Sequence, residues 1–232
     1  MSLDLILNIY KPSGMTSYDV IRFLKRLLPH KVKIGHGGTL DPAAQGVLTI
    51  AVGKATRRLE SLPKEKEYRA IICFGMSTTT DDLEGELIKK TDCKHIDPQK
   101  IQLLITKHFL GDIFQKVPTY SAVHVDGKRL YRLAQAGTPL PYEQLPVKKI
   151  SILSFAIENT KIVEREGVTM LEMTCLISCS AGTYIRSIAR DLGEHLGVGG
   201  ALAHLIRTKS GGMEIADSIK LDDVRLGSFL TA

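Results

Sequence analysis

The chain has 232 residues, 44% hydrophobic and 24% charged, a composition that fits one large soluble globular domain or two small ones. It contains no apolar run long enough to span a membrane and no basic segment followed by an apolar stretch and a cleavage site, so export is not indicated and a cytoplasmic location is expected. The net charge of +6 lies entirely in residues 1–70, which hold 12 Lys and Arg against 6 Asp and Glu, whereas residues 71–232 hold 19 of each. That basic first part points to a polyanion such as nucleic acid, with a merely solvated face as the alternative.

Residues 5–10, Leu-Ile-Leu-Asn-Ile-Tyr, predict a short strand. Lys11-Pro12-Ser13-Gly14-Met15-Thr16-Ser17 reads as a turn in which Thr16 or Ser17 caps the following helix. Val20, Ile21, Phe23, Leu24, Leu27 and Leu28 then recur at helical spacing, opposite Arg22, Lys25 and Arg26, and Pro29 ends the helix. Gly35-His36-Gly37-Gly38-Thr39-Leu40-Asp41-Pro42 comes next. Its glycines let a ligand approach the backbone, and Pro42 pushes Asp41 out of the helical region, so its carboxylate projects from a stiff loop. The competing reading is a tight turn capped by Asp41.

Residues 47–52 predict a buried strand and Lys54–Leu62 a short helix with a basic start. Gly46 and Gly53-Lys54 do not form a phosphate-binding P-loop, because six residues separate the glycines and Ala55 follows the lysine. Tyr68–Gly75 predicts a strand, with Tyr68 at its start read as packing, and Thr78–Gly85 a polar turn. Asp97-Pro98 opens a helix containing Ile101, Leu104, Ile105 and Phe109. Residues 113–137 interleave aromatic and basic side chains, which suits stacking on bases and pairing with phosphates and equally suits an exposed hairpin followed by a short helix. Residues 146–161 and 168–179 predict two strands around the charged turn 164–167, and a helix carrying Ile185, Ile188, Ala189, Leu192 and Leu196 follows, capped by Ser180 or Thr183. Arg186 in its first turn opposes the helix dipole and calls for a nearby carboxylate, with a solvated arginine as the alternative. By spacing alone, Leu205 is a core residue. The four cysteines form no C-x-x-C pair, so neither a zinc site nor a disulfide framework is indicated, and no other metal motif is present.

Five segments, in order, resemble the TruB family of tRNA pseudouridine synthases: Lys11-Pro12-x-Gly14-x-x-Ser17; Gly35-His36-x-Gly38-Thr39-Leu40-Asp41-Pro42; Lys66-x-Tyr68-x-Ala70 with the Thr78–Gly85 turn; Cys179-Ser180-x-Gly182-Thr183-Tyr184-Ile185-Arg186; and Leu205-x-Arg207-Thr208-x-Ser210-Gly211. The match covers residues 8–212. A further stretch, Phe114–Arg132, is similar to the family's RNA-gripping segment, with Thr119 and His124 as departures.

The resemblance implies an α/β (α+β) pseudouridine synthase fold, a central mixed and mostly antiparallel sheet flanked by helices. It implies a catalytic domain over residues 1–212 with the RNA-gripping insertion at about 113–137, and a short tail over 213–232 without the full RNA-binding C-terminal domain. The implied reaction is isomerisation of a uridine in the TΨC stem-loop of tRNA, position 55, to pseudouridine on a flipped-out base, with no cofactor and no metal, by a protein expected to be monomeric. Asp41 would be the nucleophile, with attack on the base and attack on the sugar carbon both open. Arg186 would pair with Asp41 and keep it ionised, Tyr68 would lie over the base, and Leu205 would form an apolar wall beside it. His36 would fill the space that the base leaves, while Lys11 and Tyr184 would support the substrate site. In the turn, Asp82 matches the family's aspartate, next to Asp81. The alternatives are a non-catalytic RNA-binding or RNA-folding protein and a sister synthase acting on another RNA.

Overall fold

The computed structural model describes residues 3–28, 32–165 and 167–225. By contacts the chain divides into two units, Met1–Arg69 with Leu205–Ala232, and Ala70–His204.

The first unit contains β1 (Leu5–Lys11), α1 (Ser17–Leu27), β2 (Ile34–His36) and β3 (Gln45–Val52), followed by a 3₁₀ helix, Gly53–Glu60. Strand β1 buries every second residue, Leu5, Leu7, Ile9 and Lys11, so a lysine occupies a position that the alternation reserves for an apolar side chain. β1 pairs antiparallel with β3, Ile9 opposite Leu48. Helix α1 starts at a capping box: the Thr16 hydroxyl accepts from the Asp19 N–H at 3.0 Å and the Asp19 carboxylate accepts from the Thr16 N–H at 2.9 Å, worth about 1 kcal/mol. Val20, Ile21 and Leu24 of α1 pack on Leu7, Ile9, Leu48 and Ile50 to form the unit's core. Pro29, where the sequence ends this helix, lies outside the described residues.

The second unit begins within β4 (Lys66–Phe74) and continues through β5 (Met76–Thr78), β6 (Leu87–Lys90), α2 (Pro98–His108), β7 (Gly111–Lys116), β8 (His124–Val125), β9 (Lys128–Arg129) and α3 (Leu130–Gln135). It is completed by β10 (Val147–Arg165), β11 (Val168–Cys179), α4 (Ile185–Leu196) and the start of β12 (Gly200–Ser210). Its strands run in the order β4-β11-β10-β7, with β7–β10 and β10–β11 antiparallel. Gly193 of α4 lets the helix meet the 199–200 backbone, since a Cβ there would lie 2.1 Å from the Gly200 nitrogen. Residues 117–146 leave the sheet between β7 and β10 and carry their own small core, Val117, Leu130 and Leu145. The exposed hairpin and short helix expected here are β8, β9 and α3.

The end of β12 returns the chain to the first unit, where β13 (Met213–Glu214) and β14 (Ile219–Lys220) follow. The strand order there is β14-β1-β3-β12, with β2 also on β3 and β13 on β12. β14 joins β1, and β12 joins β3, in parallel. The strands are thus mixed and mostly antiparallel, as expected. No helix among the described residues is long and apolar enough to cross a membrane.

Candidate active site

In the first unit the loop carrying Asp41 is held by its backbone carbonyls. Six consecutive ones, from Gly38 to Ala43, each accept a hydrogen bond. Arg207 donates through Nη2 to Gly38 at 3.1 Å, through Nη1 to Thr39 at 3.2 Å and through Nε to Val47 at 2.8 Å. The Ser17 hydroxyl donates to the Leu40 carbonyl at 3.2 Å and accepts from the Leu40 N–H at 2.8 Å. The Ala44 N–H bonds the Asp41 carbonyl at 3.1 Å, and the Ser13 hydroxyl bonds the Ala43 carbonyl at 3.0 Å. The Pro42 carbonyl takes the Gly14 N–H at 2.9 Å and Lys11 Nζ at 3.1 Å. Lys11 also donates to Pro12 at 2.9 Å and Met15 at 2.6 Å, so all three of its protons are engaged. The Lys11–Ser17 turn therefore grips the loop from one side and β12 from the other. The Asp41 backbone is thereby held on both sides, which limits the directions in which its side chain can project.

The loop's electrostatics are cationic. Lys11 is fully buried and Arg207 is 1% exposed. Burial pulls the Lys11 ammonium down to about 8, while the nearby Asp41 carboxylate acts in the opposite direction. His36 precedes the loop on β2, and its Nδ1 accepts from the Gly38 N–H at 3.3 Å. That bond requires an unprotonated Nδ1, in line with the downward shift that burial, and then Arg207, imposes on the ring. Tyr68 is buried on β4, on the same face as Lys66, whose Nζ donates to Ser210 Oγ at 2.7 Å. Leu205 is buried on β12 and shares a face with Arg207. Lys11, His36, Asp41, Tyr68 and Leu205 are thus brought into one unit. In the sequence Arg207 is one position of the Leu205–Gly211 motif with no task of its own; its depth and its three carbonyls are visible only in the structure.

Arg207 also explains Gly46. The two residues are paired across β12 and β3, and Gly46 has φ +101° with its Cα against the Arg207 backbone. A Cβ there would sit 2.2 Å from the Arg207 carbonyl oxygen.

In the second unit Arg186 is 5% exposed in the first turn of α4. Its Nη1 donates to the Thr80 carbonyl at 2.9 Å, its Nη2 to the Tyr120 carbonyl at 3.0 Å, and its Nε lies 3.7 Å from Asp82 Oδ2. Asp82 is thus the carboxylate beside this dipole-opposed cation; its other oxygen is held by the Thr80 hydroxyl and, at 3.1 Å, the Glu84 N–H. The neighbouring Asp81 pairs instead with Arg190 at 2.9 Å, and burial pushes its carboxyl up to about 6. Tyr184, not Ser180 or Thr183, occupies the cap of α4, and no side chain caps the helix there. Thr183 turns to the Ser180 carbonyl, while the buried Gln115 side chain brackets Tyr184, accepting from its N–H at 2.8 Å and donating to its carbonyl at 3.0 Å.

The description "TruB family pseudouridylate synthase (N terminal domain)" matches residues 25–185, and "tRNA pseudouridylate synthase B C-terminal domain" matches residues 186–229. Among curated relatives, the tRNA pseudouridine synthase B of Gloeothece citriformis is 48% identical over 94% of this chain and 68% of its own length. That of Acaryochloris marina is 44% identical over 96% and 75%, and that of Synechococcus elongatus 46% identical over 98% and 74%. Among solved structures, a chain of a Cbf5-Nop10-Gar1 complex is 31% identical with a TM-score of 0.64, covering 96% of this chain and 53% of that one. A chain of an H/ACA RNP bound to a substrate RNA containing 2'-deoxyuridine is 29% identical with a TM-score of 0.58, covering 94% and 51%. The chain spans about half the length of these two solved chains.

Proposed function

This chain belongs to the TruB family of pseudouridine synthases, and from that premise we propose that it isomerises uridine in tRNA to pseudouridine, at position 55 of the TΨC loop, with Asp41 as nucleophile. The observation that carries the reading is the set of six consecutive carbonyls, Gly38 to Ala43, each hydrogen-bonded, around the one carboxylate of the loop. The reaction breaks the bond from sugar to base nitrogen, turns the detached base and forms a bond from sugar to base carbon. Atoms and electrons balance within the nucleotide. The enzyme's task is to flip the base out, attack covalently and hold the detached base in place.

The other residues take the roles that their motifs carry. Tyr68 lies over the base; its support is its place on an inward-facing strand position. Leu205 walls the base and excludes water, supported by the same burial pattern on β12. His36, held neutral and anchored at Nδ1, fills the place of the flipped base. Arg186 keeps Asp41 ionised, and what supports it is the match of Cys179–Arg186 together with a guanidinium already fixed by two carbonyls. Lys11 orients the loop and Tyr184 orients α4 and the start of the insertion.

The test is pseudouridine formation on an unmodified tRNA transcript with no added cofactor. Asp41→Asn is expected to abolish turnover while tRNA binding stays within about an order of magnitude of wild type. Full activity in Asp41→Asn overturns the assignment of the nucleophile. A wild-type protein that binds tRNA and makes no product points to an RNA-binding role instead.

A further inference from the structure

Arg186 and Arg190 stand one turn apart on α4, on the same side of the helix. The reaction gives Arg190 no task, yet it is heavily engaged. Its Nη1 donates to Asp81 Oδ2 at 2.9 Å, its Nε to Asp191 Oδ1 at 2.8 Å and its Nη2 to the Lys116 carbonyl at 3.0 Å. Its guanidinium carbon lies 5.3 Å from the centre of the Tyr142 ring. Lys116 closes the circle, with Nζ donating to the Tyr142 carbonyl at 2.8 Å and lying 4.1 Å from the same ring.

These partners sit at one place in the topology. Lys116 is the last residue of β7, and Tyr142 precedes β10, which begins at Val147 opposite Lys116. Between them, residues 117–146 make their excursion, closed at its neck by the Val117 N–H on the Pro146 carbonyl at 3.0 Å. The excursion packs on its own small core, with Tyr184 against it, and meets the sheet at this neck; Arg186 Nη2 on the Tyr120 carbonyl is a second tie, to the start of α4. Asp81, on the other side of Arg190, is itself fixed. It takes a left-handed conformation, φ 63°, that aspartate tolerates, and its carbonyl accepts the Leu202 N–H at 2.9 Å. One guanidinium thus ties both ends of the neck to a turn anchored on β12.

We propose that Arg190, with Asp81, is a positioning residue that sets the orientation of the 117–146 excursion on α4, and through it the hold on RNA. The part concerning RNA rests on the function proposed above; the mechanical part does not. The chemistry favours arginine here. A planar fork engages two carboxylates and a carbonyl at once while its face meets a ring, whereas a lysine satisfies fewer of these in one geometry. Arg190 is only 12% exposed and its partner Asp81 14%, so solvent cannot replace the lost contacts.

The test uses Arg190→Lys, which keeps the charge, and Asp81→Asn, which keeps the left-handed turn. Limited trypsin digestion of the free protein is followed by mass spectrometry. Cleavage after Lys128, Arg129 and Arg132, all exposed in the excursion, is measured relative to cleavage after Arg57 and Arg58, exposed in the other unit. Both variants are expected to raise that ratio about tenfold, and the double variant less than the product of the two. With tRNA, KM is expected to rise about tenfold while kcat stays within about twofold. An unchanged ratio, or cleavage rising equally at all sites, overturns the mechanical part. A raised ratio with unchanged KM, or a loss confined to kcat, overturns the link to RNA. Wild-type protein inert towards tRNA would sink the proposed function instead, and the digestion ratio would still decide the role of Arg190.

Discussion

Lys11 carries a charge in a place where the strand pattern asks for an aliphatic side chain. With burial holding it near 8, it is an ammonium with three protons for three carbonyls at neutral pH, and an amine with two protons above that value. The sign for stability is the reverse of the sign for function. The unfolded side chain titrates near its model value of 10.5, so between about 8 and 10.5 the folded state sheds a proton that the unfolded state keeps, and Lys11's contribution to stability rises with pH. One of the three carbonyls meanwhile loses its Lys11 proton; the bond to Pro42 is the longest at 3.1 Å, and that carbonyl keeps only the Gly14 N–H. Turnover should therefore fall above about pH 8 without a parallel fall in melting temperature attributable to this group, and Lys11→Met should be weakly active without that limb. A wild-type profile flat to pH 9 would contradict this. Asp41, Tyr68 and Arg186 could be nominated from their motifs, because each motif is a local run of the chain. The work of Arg207 and Lys66 was not, since nothing in a strand's own spacing tells which carbonyl or hydroxyl lies across from it.

At the scale of elements, Gly46 shows how a strand contact fixes a residue type. Gly46→Ala places a methyl 2.2 Å from the Arg207 carbonyl and strains a φ of +101°, so the parallel β3–β12 contact has to open. We expect a loss of about 3 kcal/mol or more in urea unfolding, with turnover falling alongside because Arg207 moves with its strand. Unfolding unchanged within about 0.5 kcal/mol would mean that the two strands do not meet this closely. The periodic elements were readable: β1, α1, β3, β4, the Asp97–Pro98 start of α2, the β10–β11 pair and α4. The stretch from Gly53 to Glu60 was expected as a helix from Lys54 to Leu62 and is a 3₁₀ helix, a distinction that amphipathic spacing over so few residues does not draw. Strands β2, β5 and β6 have three or four residues and no alternation to detect, so their existence depends on partners elsewhere. The cap of α4 was misread for a similar reason: Gln115, which brackets Tyr184, is 69 residues away.

For the whole molecule, the charge excess in residues 1–70 leads to a measurable slope. Affinity for tRNA should fall steeply as salt rises, because each phosphate neutralised releases bound counterions. A flat response between low and moderate ionic strength would remove the case for a basic RNA-binding face. The excess is a property of the sequence itself, whereas the contact division is seen only in the fold: the unit that carries Asp41 is discontinuous, made from the first 69 residues and those after 204. That division gives the Asp41 loop a place in time. Arg207 reaches Thr39 and Gly38 across 168 and 169 residues of chain, and a protein is made from its N-terminus. Asp41 therefore leaves the ribosome long before the side chain that fastens its loop, and the intervening unit has to be synthesised first. Until Arg207 has been made, the nascent chain carries the aspartate without the side chain that fastens the Gly38 and Thr39 carbonyls of its loop.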